Sequence, residues 1–148
     1  MQHLNFPAFE FRIKSSENRR RIFDIIRKKF VVLTPEEWVR QHTIQWLVYH
    51  KKYPLSLINV EKQLKINNLK KRYDVVVYNS EGGIDILVEC KSFSTEITQA
   101  VFDQIARYNL DARANYLMVT NGMDHYFCQM DHSQEKYSFL EHIPDFSR

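Results

Sequence analysis

The stretch 73–91 constrains this chain more than any other. Residues 73–78 read Tyr-Asp-Val-Val-Val-Tyr, residues 84–91 read Ile-Asp-Ile-Leu-Val-Glu-Cys-Lys, and Asn-Ser-Glu-Gly-Gly lies between them. β-Branched and aromatic runs around a turn-forming segment predict an antiparallel hairpin. Strands this apolar belong at the centre of a sheet, where a charge is costly unless something pairs with it. Yet the hairpin carries Asp74, Glu89 and Lys91. Side chains alternate faces along a strand, so Asp85, Leu87, Glu89 and Lys91 share one face while Ile86, Val88 and Cys90 share the other. Glu89 and Lys91 then stand roughly 7 Å apart. They can satisfy each other as a structural ion pair, or a metal and a phosphate can satisfy them more fully. The short turn lets Asp74 lie beside Glu89. Two carboxylates with a backbone carbonyl form a hard-oxygen site suited to Mg²⁺ or Mn²⁺, and the Cys90 carbonyl is placed as the third ligand. The Cys90 thiol faces the core. Asp85, near the turn, is expected to be solvated.

Around this hairpin the pattern is mixed α/β. Residues 8–14 alternate and predict a short strand. Ser15 and Ser16 then offer caps for a basic helix over 17–30, with Ile22, Ile25, Ile26 and Phe30 on one face and Arg19, Arg20, Arg27 and Lys28 largely elsewhere. Thr34 as N-cap, Pro35 at N1 and Glu37 at N3 spell a capping box for a helix running to residue 51. Residues 57–61 predict a strand, and the basic segment 62–72 alternates briefly. A helix is expected over 98–110, with Val101, Ile105 and Tyr108 near one face. A strand over 115–119 stops at Thr120-Asn121-Gly122, and 124–130 with 136–140 predict a closing hairpin. No Pro/Gly/Ser-rich linker divides the chain. It reads as one unit over 1–148, with an extension at 1–33, a core at 34–125, and closing strands and tail at 126–148.

Composition excludes several chemistries. Glycine occurs only at 82, 83 and 122, so no Walker phosphate loop can form. The six histidines lack zinc-binding spacing, and His125 and His132 are expected at the surface. There is no Gly-x-Ser-x-Gly elbow for acyl hydrolysis. Cys90 and Cys128 cannot make a disulfide framework. No run of 18 apolar residues offers a membrane span, and no signal-peptide core opens the chain. A soluble cytoplasmic protein is expected. The net charge of +3 hides an asymmetry: residues 1–72 carry a net +10 and residues 73–148 a net −7. A basic half suggests a polyanion contact and an acidic half offers carboxylates for a cation, although the halves can also simply complement each other. The phosphate contacts are expected at Arg19, Arg20, Arg21, Lys28, Lys29, Lys70, Lys71 and Arg72.

Asp74 followed by Glu89-x-Lys91 after a hairpin resembles the PD-(D/E)xK nuclease superfamily, with Tyr73 where the name has Pro. Gln104-Ile-Ala-Arg-Tyr108 matches the Gln-x-x-x-Tyr motif of one nuclease subgroup. With residues 34–41, Lys71-Arg72-Tyr73-Asp74 and Thr120-Asn121-Gly122, these blocks resemble the N-terminal nuclease domain of type I restriction enzyme R subunits over roughly 30–125. The resemblance implies a restriction-endonuclease-like mixed central sheet flanked by helices, here with an N-terminal strand-helix extension. It implies a Mg²⁺- or Mn²⁺-dependent DNA endonuclease with Asp74 and Glu89 on the metal. Lys91 would orient the attacking water, and Gln104 and Tyr108 would position Lys91, the phosphate or the DNA backbone. Glu37, with Glu36 as its substitute, looks like the family's additional acid, binding the metal through water or holding a second ion. A full R subunit also carries an ATP-driven motor. A chain of this size would need a separate helicase or translocase, or other restriction-modification subunits, or else would work alone. The competing readings are a nuclease-fold module that binds DNA or protein with little hydrolysis, and a metal-free scaffold.

Overall fold

The structure, a computed structural model, describes residues 1–147. Its centre is a six-stranded sheet in chain order: β4 (Ile58–Ile66), β5 (Leu69–Tyr78), β6 (Ile84–Cys90), β7 (Tyr116–Thr120), β8 (His125–Asp131) and β9 (Lys136–Leu140). Every neighbour pair is antiparallel except β6 and β7, which are parallel. Parallel strands need a crossover, and α2 (Gln99–Asn109) supplies it. Helix α1 (Pro35–Tyr49) precedes the sheet in the chain and packs on the opposite face. Val39, Ile44 and Leu47 of α1 share one core with Val75, Val77, Ile86, Val88, Cys90 and Met118. Phe102 and Ala106 of α2 share the other with Tyr73, Val76, Leu87, Leu117 and Cys128. This is the mixed sheet flanked by helices that the resemblance implies.

Local signals explain most of these elements. The Thr34 hydroxyl accepts the Glu37 N–H at 3.0 Å, and the Thr98 hydroxyl accepts the Val101 N–H at 3.2 Å. Between β4 and β5 lie Asn67 and Asn68, at φ 50° and 65°. A two-residue turn with both φ positive matches strand twist, and Asn tolerates it. The basic segment 62–72 is therefore one continuous hairpin, longer than the strand expected at 57–61.

The helix expected over 17–30 does not form. β1 (Ile13–Ser16), β2 (Arg19–Asp24) and β3 (Lys29–Val32) make a separate antiparallel sheet instead. Ser15 and Ser16 are strand residues, not caps. Glu17 and Asn18 turn the chain at φ 54° and 63°. Asp24 makes the second turn, its Oδ1 accepting the Ile26 and Arg27 N–H groups at 2.7 and 2.8 Å. An Asp that bonds forward to the backbone favours a turn over a helix. The period-2 pattern of β2, with Ile22 and Asp24 fully buried, prevailed over the helical spacing of its isoleucines.

Candidate metal and nucleic-acid site

Asp74 and Glu89 both lie where β5 meets β6. These strands pair Val75 with Val88, and the next step would set Asp74 opposite Glu89. There the side chain of Asp74 takes over from the backbone: its Oδ2 accepts the Cys90 N–H at 2.7 Å. The strand is irregular at this point. The β4–β5 ladder pairs Val60 with Val75 and Lys62 with Tyr73 but skips Glu61 and Asp74. Glu61 has φ 52°, an uncommon conformation for its residue type. Tyr73 and Val75, two residues apart, lie in cores on opposite sides of the sheet. The break in alternation turns Asp74 toward α1.

Burial raises the Asp74 carboxyl to about 6; the Cys90 N–H opposes that rise, the Glu89 charge adds to it, Arg40 opposes it, and Glu36 adds to it. A like-charged neighbour disfavours ionisation, so Glu89 lies within electrostatic reach of Asp74. That donor set fits a divalent cation with the Cys90 carbonyl as a third oxygen. Among the described residues no three His, Cys, Asp or Glu side chains form a metal cluster. A metal held here by Asp74 and Glu89 would have to draw its remaining ligands from backbone or water. Glu36, whose charge reaches Asp74, is exposed at the start of α1.

Glu89 has an unexpected partner. The Lys71 ammonium lies 2.5 Å from its Oε1. The same ammonium sits 4.8 Å from the Tyr73 ring centroid and 4.5 Å from that of Tyr108. Lys71 is thus enclosed by the site rather than free for a surface phosphate. Tyr108 and Lys71 line a groove of about 170 Å³ with Ile66, Leu69, Arg107 and Asp111. Gln104, one turn before Tyr108, is exposed on the same side and lines an open depression with Tyr108 and Arg107. Lys91 continues the β6–β7 ladder, its N–H donating to Thr120 O at 2.8 Å. Its side chain is partly exposed and forms no ion pair among the described residues.

Glu37 does not complete the reciprocal capping box. Its carboxylate turns inward and accepts from Arg27 Nη2 at 2.9 Å, Arg40 Nε at 2.9 Å, Arg40 Nη2 at 3.1 Å and Gln41 Nε2 at 3.0 Å. Asp24, fully buried, joins the cluster through Arg27 Nε at 2.6 Å and Gln41 Nε2 at 2.9 Å. Arg40 links the cluster to the site: its Nη1 is 3.9 Å from Asp74 Oδ1, buried, and without a hydrogen-bond partner among the described residues. Sequence reasoning missed Asp24, Arg27 and Arg40 as site-supporting residues, and it placed Lys71 at a phosphate rather than on Glu89. The spacing Glu37–Arg40–Gln41, on one helical face, was the available signal.

The remaining residues divide cleanly. Arg19 and Arg20 are exposed on β2, Arg21 is partly so, and Lys70 and Arg72 are exposed on β5. Thr120-Asn121-Gly122 is a structural turn. Asn121 Oδ1 accepts the Met123 and Asp124 N–H groups at 3.0 and 2.8 Å, and Gly122, at φ 88°, lies so near Leu4 that a Cβ would meet it at 2.9 Å. Asp85 is not simply solvated, since it accepts from Asn115 Nδ2 at 3.0 Å. His125 and His132 are not free surface residues. His125 bonds Thr120 Oγ1 at 2.7 Å and Asn5 O at 2.6 Å, and His132 bonds Ala114 O at 2.7 Å.

A mixed sheet with a helix on each face, and an acid on each strand of its central hairpin, is compatible with a restriction-endonuclease-like fold. Residues 35–144 match the family described as the type I restriction enzyme R protein N terminus. The chain belongs to that family, so it is a restriction-related, nuclease-like module. No curated protein is significantly similar to it. Among the described residues no helix is long and apolar enough to cross a membrane.

Proposed function

We propose that this chain is a divalent-metal-dependent endodeoxyribonuclease module that hydrolyses phosphodiester bonds in DNA. The observation that supports the reading is the place of Asp74 on the Cys90 N–H, within electrostatic reach of Glu89 on the neighbouring strand. Asp74, Glu89 and the Cys90 carbonyl hold Mg²⁺ or Mn²⁺, which acts when bound as a Lewis acid on the scissile phosphate. The Cys90 N–H fixes one Asp74 oxygen and Arg40 backs the other, which orients the carboxylate. Lys91 orients the attacking water and offsets charge at the phosphate. Gln104 and Tyr108 bind the DNA backbone beside it. Glu37 acts through Arg40 as a positioning residue, and the exposed Glu36 is the better placed additional acid. Lys70 and Arg72 give phosphate contacts. The partners are DNA and other subunits of a restriction-modification assembly.

The test is cleavage of plasmid in Mg²⁺ or Mn²⁺ by the unaltered protein, Lys91→Ala and Asp74→Ala. Cutting by the unaltered protein alone supports the site. Cutting by all three points to contamination. Binding without cutting by any of them assigns a docking module.

The raised Asp74 carboxyl makes metal binding pH-dependent. Protons compete with the cation for an acid that titrates at about 6. Mn²⁺ affinity is expected to be flat above neutrality and to fall by about tenfold per pH unit below 6. Calorimetric titration between pH 5 and 8 checks this. A midpoint near the ordinary carboxylate value of about 4 would mean that no raised acid competes with the metal.

A further inference from the structure

We propose that the outer face of the β1–β3 sheet is a docking surface for single-stranded DNA. The proposal rests on the reading of the chain as DNA-acting. It is tested without metal, so that loss of cleavage and loss of this surface are separate results.

Alternation along β2 puts Arg19, Arg21 and Phe23 on one side and Arg20, Ile22 and Asp24 on the other. Ile22 and Asp24 are fully buried, so the first set faces away from the core, while Arg20, near the start of the strand, is itself exposed. The register adds Lys14, opposite Arg21, and Phe30, opposite Phe23. The two rings lie 5.3 Å apart, and neither belongs to either core of the main sheet. Cations cover them instead. Arg12 stands 4.5 Å from the Phe23 centroid and 5.4 Å from that of Phe30, and Lys14 stands 4.2 Å from Phe30. Among the described residues the one carboxylate in ion-pairing reach of these cations is Glu17, 3.9 Å from Arg21 and 84% exposed.

An aromatic pair outside the core, framed by four cations, matches a ligand that offers both phosphates and π-faces. Duplex DNA stacks its bases inside and offers this face only phosphates. A single strand offers both, and its bases stack on aromatic rings and on guanidinium planes. Arg19 and Arg21 project about 7 Å apart along β2, two adjacent cations for a phosphodiester backbone. The inner face fixes the platform in place, because Asp24 and Arg27 lock it to Glu37 and through Arg40 to Asp74. These strands lie outside the matched residues 35–144.

The experiment is fluorescence anisotropy of the full chain in EDTA, with a labelled strand of about 16 nucleotides and the duplex of the same sequence. Phe23→Leu/Phe30→Leu is expected to weaken single-strand binding by about tenfold and to leave duplex binding nearly unchanged. Arg19→Ala/Arg21→Ala is expected to weaken both and to flatten the salt dependence, while Lys136→Ala, exposed on β9 of the other sheet, changes neither. Equal losses for strand and duplex, or no loss in the double Phe variant, overturn the proposal. Circular dichroism checks the fold of each variant. Ultraviolet crosslinking of the unaltered protein to the single strand gives a second measurement: adducts on Phe23 or Phe30 support the surface, and adducts confined to other residues refute it.

Discussion

Glu89→Gln is expected to reduce metal-dependent cleavage by about a thousandfold, while Lys71→Met moves metal affinity in the opposite direction. The contrast follows from the geometry around Glu89. Its carboxylate is 13% exposed and its close partner is the Lys71 ammonium at 2.5 Å. An ammonium and a divalent cation compete for the same oxygens. Without Glu89 the edge keeps one acid, and Mn²⁺ affinity is expected to fall by tenfold or more. Without Lys71 both acids remain and a competing charge is gone, so Mn²⁺ binds more tightly. Tyr73 and Tyr108 would keep their places, since Tyr73 donates to Asn109 Oδ1 at 2.7 Å and does not depend on Lys71. Calorimetry on the two variants decides the matter. If neither changes Mn²⁺ binding, Lys71–Glu89 is a structural ion pair and the metal proposal fails. If both weaken it, Lys71 organises the site rather than competing for it.

Asp24→Ala is expected to destabilise the protein by about 3–5 kcal/mol, the typical cost of removing one partner from a buried charge cluster. Asp24 is fully buried and serves two backbone N–H groups, the Arg27 guanidinium and the Gln41 amide. Its loss leaves Arg27 Nε and the Gln41 amide without their shared carboxylate oxygen, while Arg27 Nη2 keeps Glu37; the Arg27 side chain is 18% exposed. For a chain of this length the melting temperature should fall on the order of 10 °C. Thermal melts followed by circular dichroism measure this. A fall of only a degree or two would mean that the cluster's desolvation cancels its attraction. The pH dependence carries the same information. Burial pushes the Asp24 carboxyl up, but the Arg27 N–H, the Gln41 amide and the Arg27 guanidinium outweigh it and hold it below its ordinary value. Its stabilisation is therefore complete above the unfolded value of about 4 and is lost as pH falls through the folded one. Melts of the unaltered protein and the variant should converge in acid.

The helices α1 and α2 and the β5–β6 hairpin were legible because each rests on local chemistry. Thr34 and Thr98 cap within three residues of themselves, and Asn79 Oδ1 accepts the Glu81 and Gly83 N–H groups at 3.0 and 2.9 Å inside the hairpin turn. Cys90 facing the core followed from alternation alone. The N-terminal sheet was misread because Ile22, Ile25, Ile26 and Phe30 fit a helical stripe, whereas two turns with positive φ at Glu17, Asn18 and Lys28 decide the strands. Non-glycine residues in that region are uncommon, so spacing gave no warning. Glu37 was misjudged for a related reason. A Glu at N3 has a local explanation, and here Arg27, ten residues back, joins Arg40 and Gln41 of the same helix in drawing it inward.

The chain's own order of residues determined that a charged hairpin would sit in an apolar sheet, with acids at 74 and 89 on its neighbouring strands. Periodicity and turn chemistry act over a few residues and can be read directly. Tertiary structure alone decided which cations meet those acids. Lys71 reaches Glu89 across a strand pair and Arg40 reaches Asp74 from a helix on the opposite face from α2. Such pairings depend on register, on a break in alternation at Asp74 and on the docking of α1, none of which leaves a mark in local spacing.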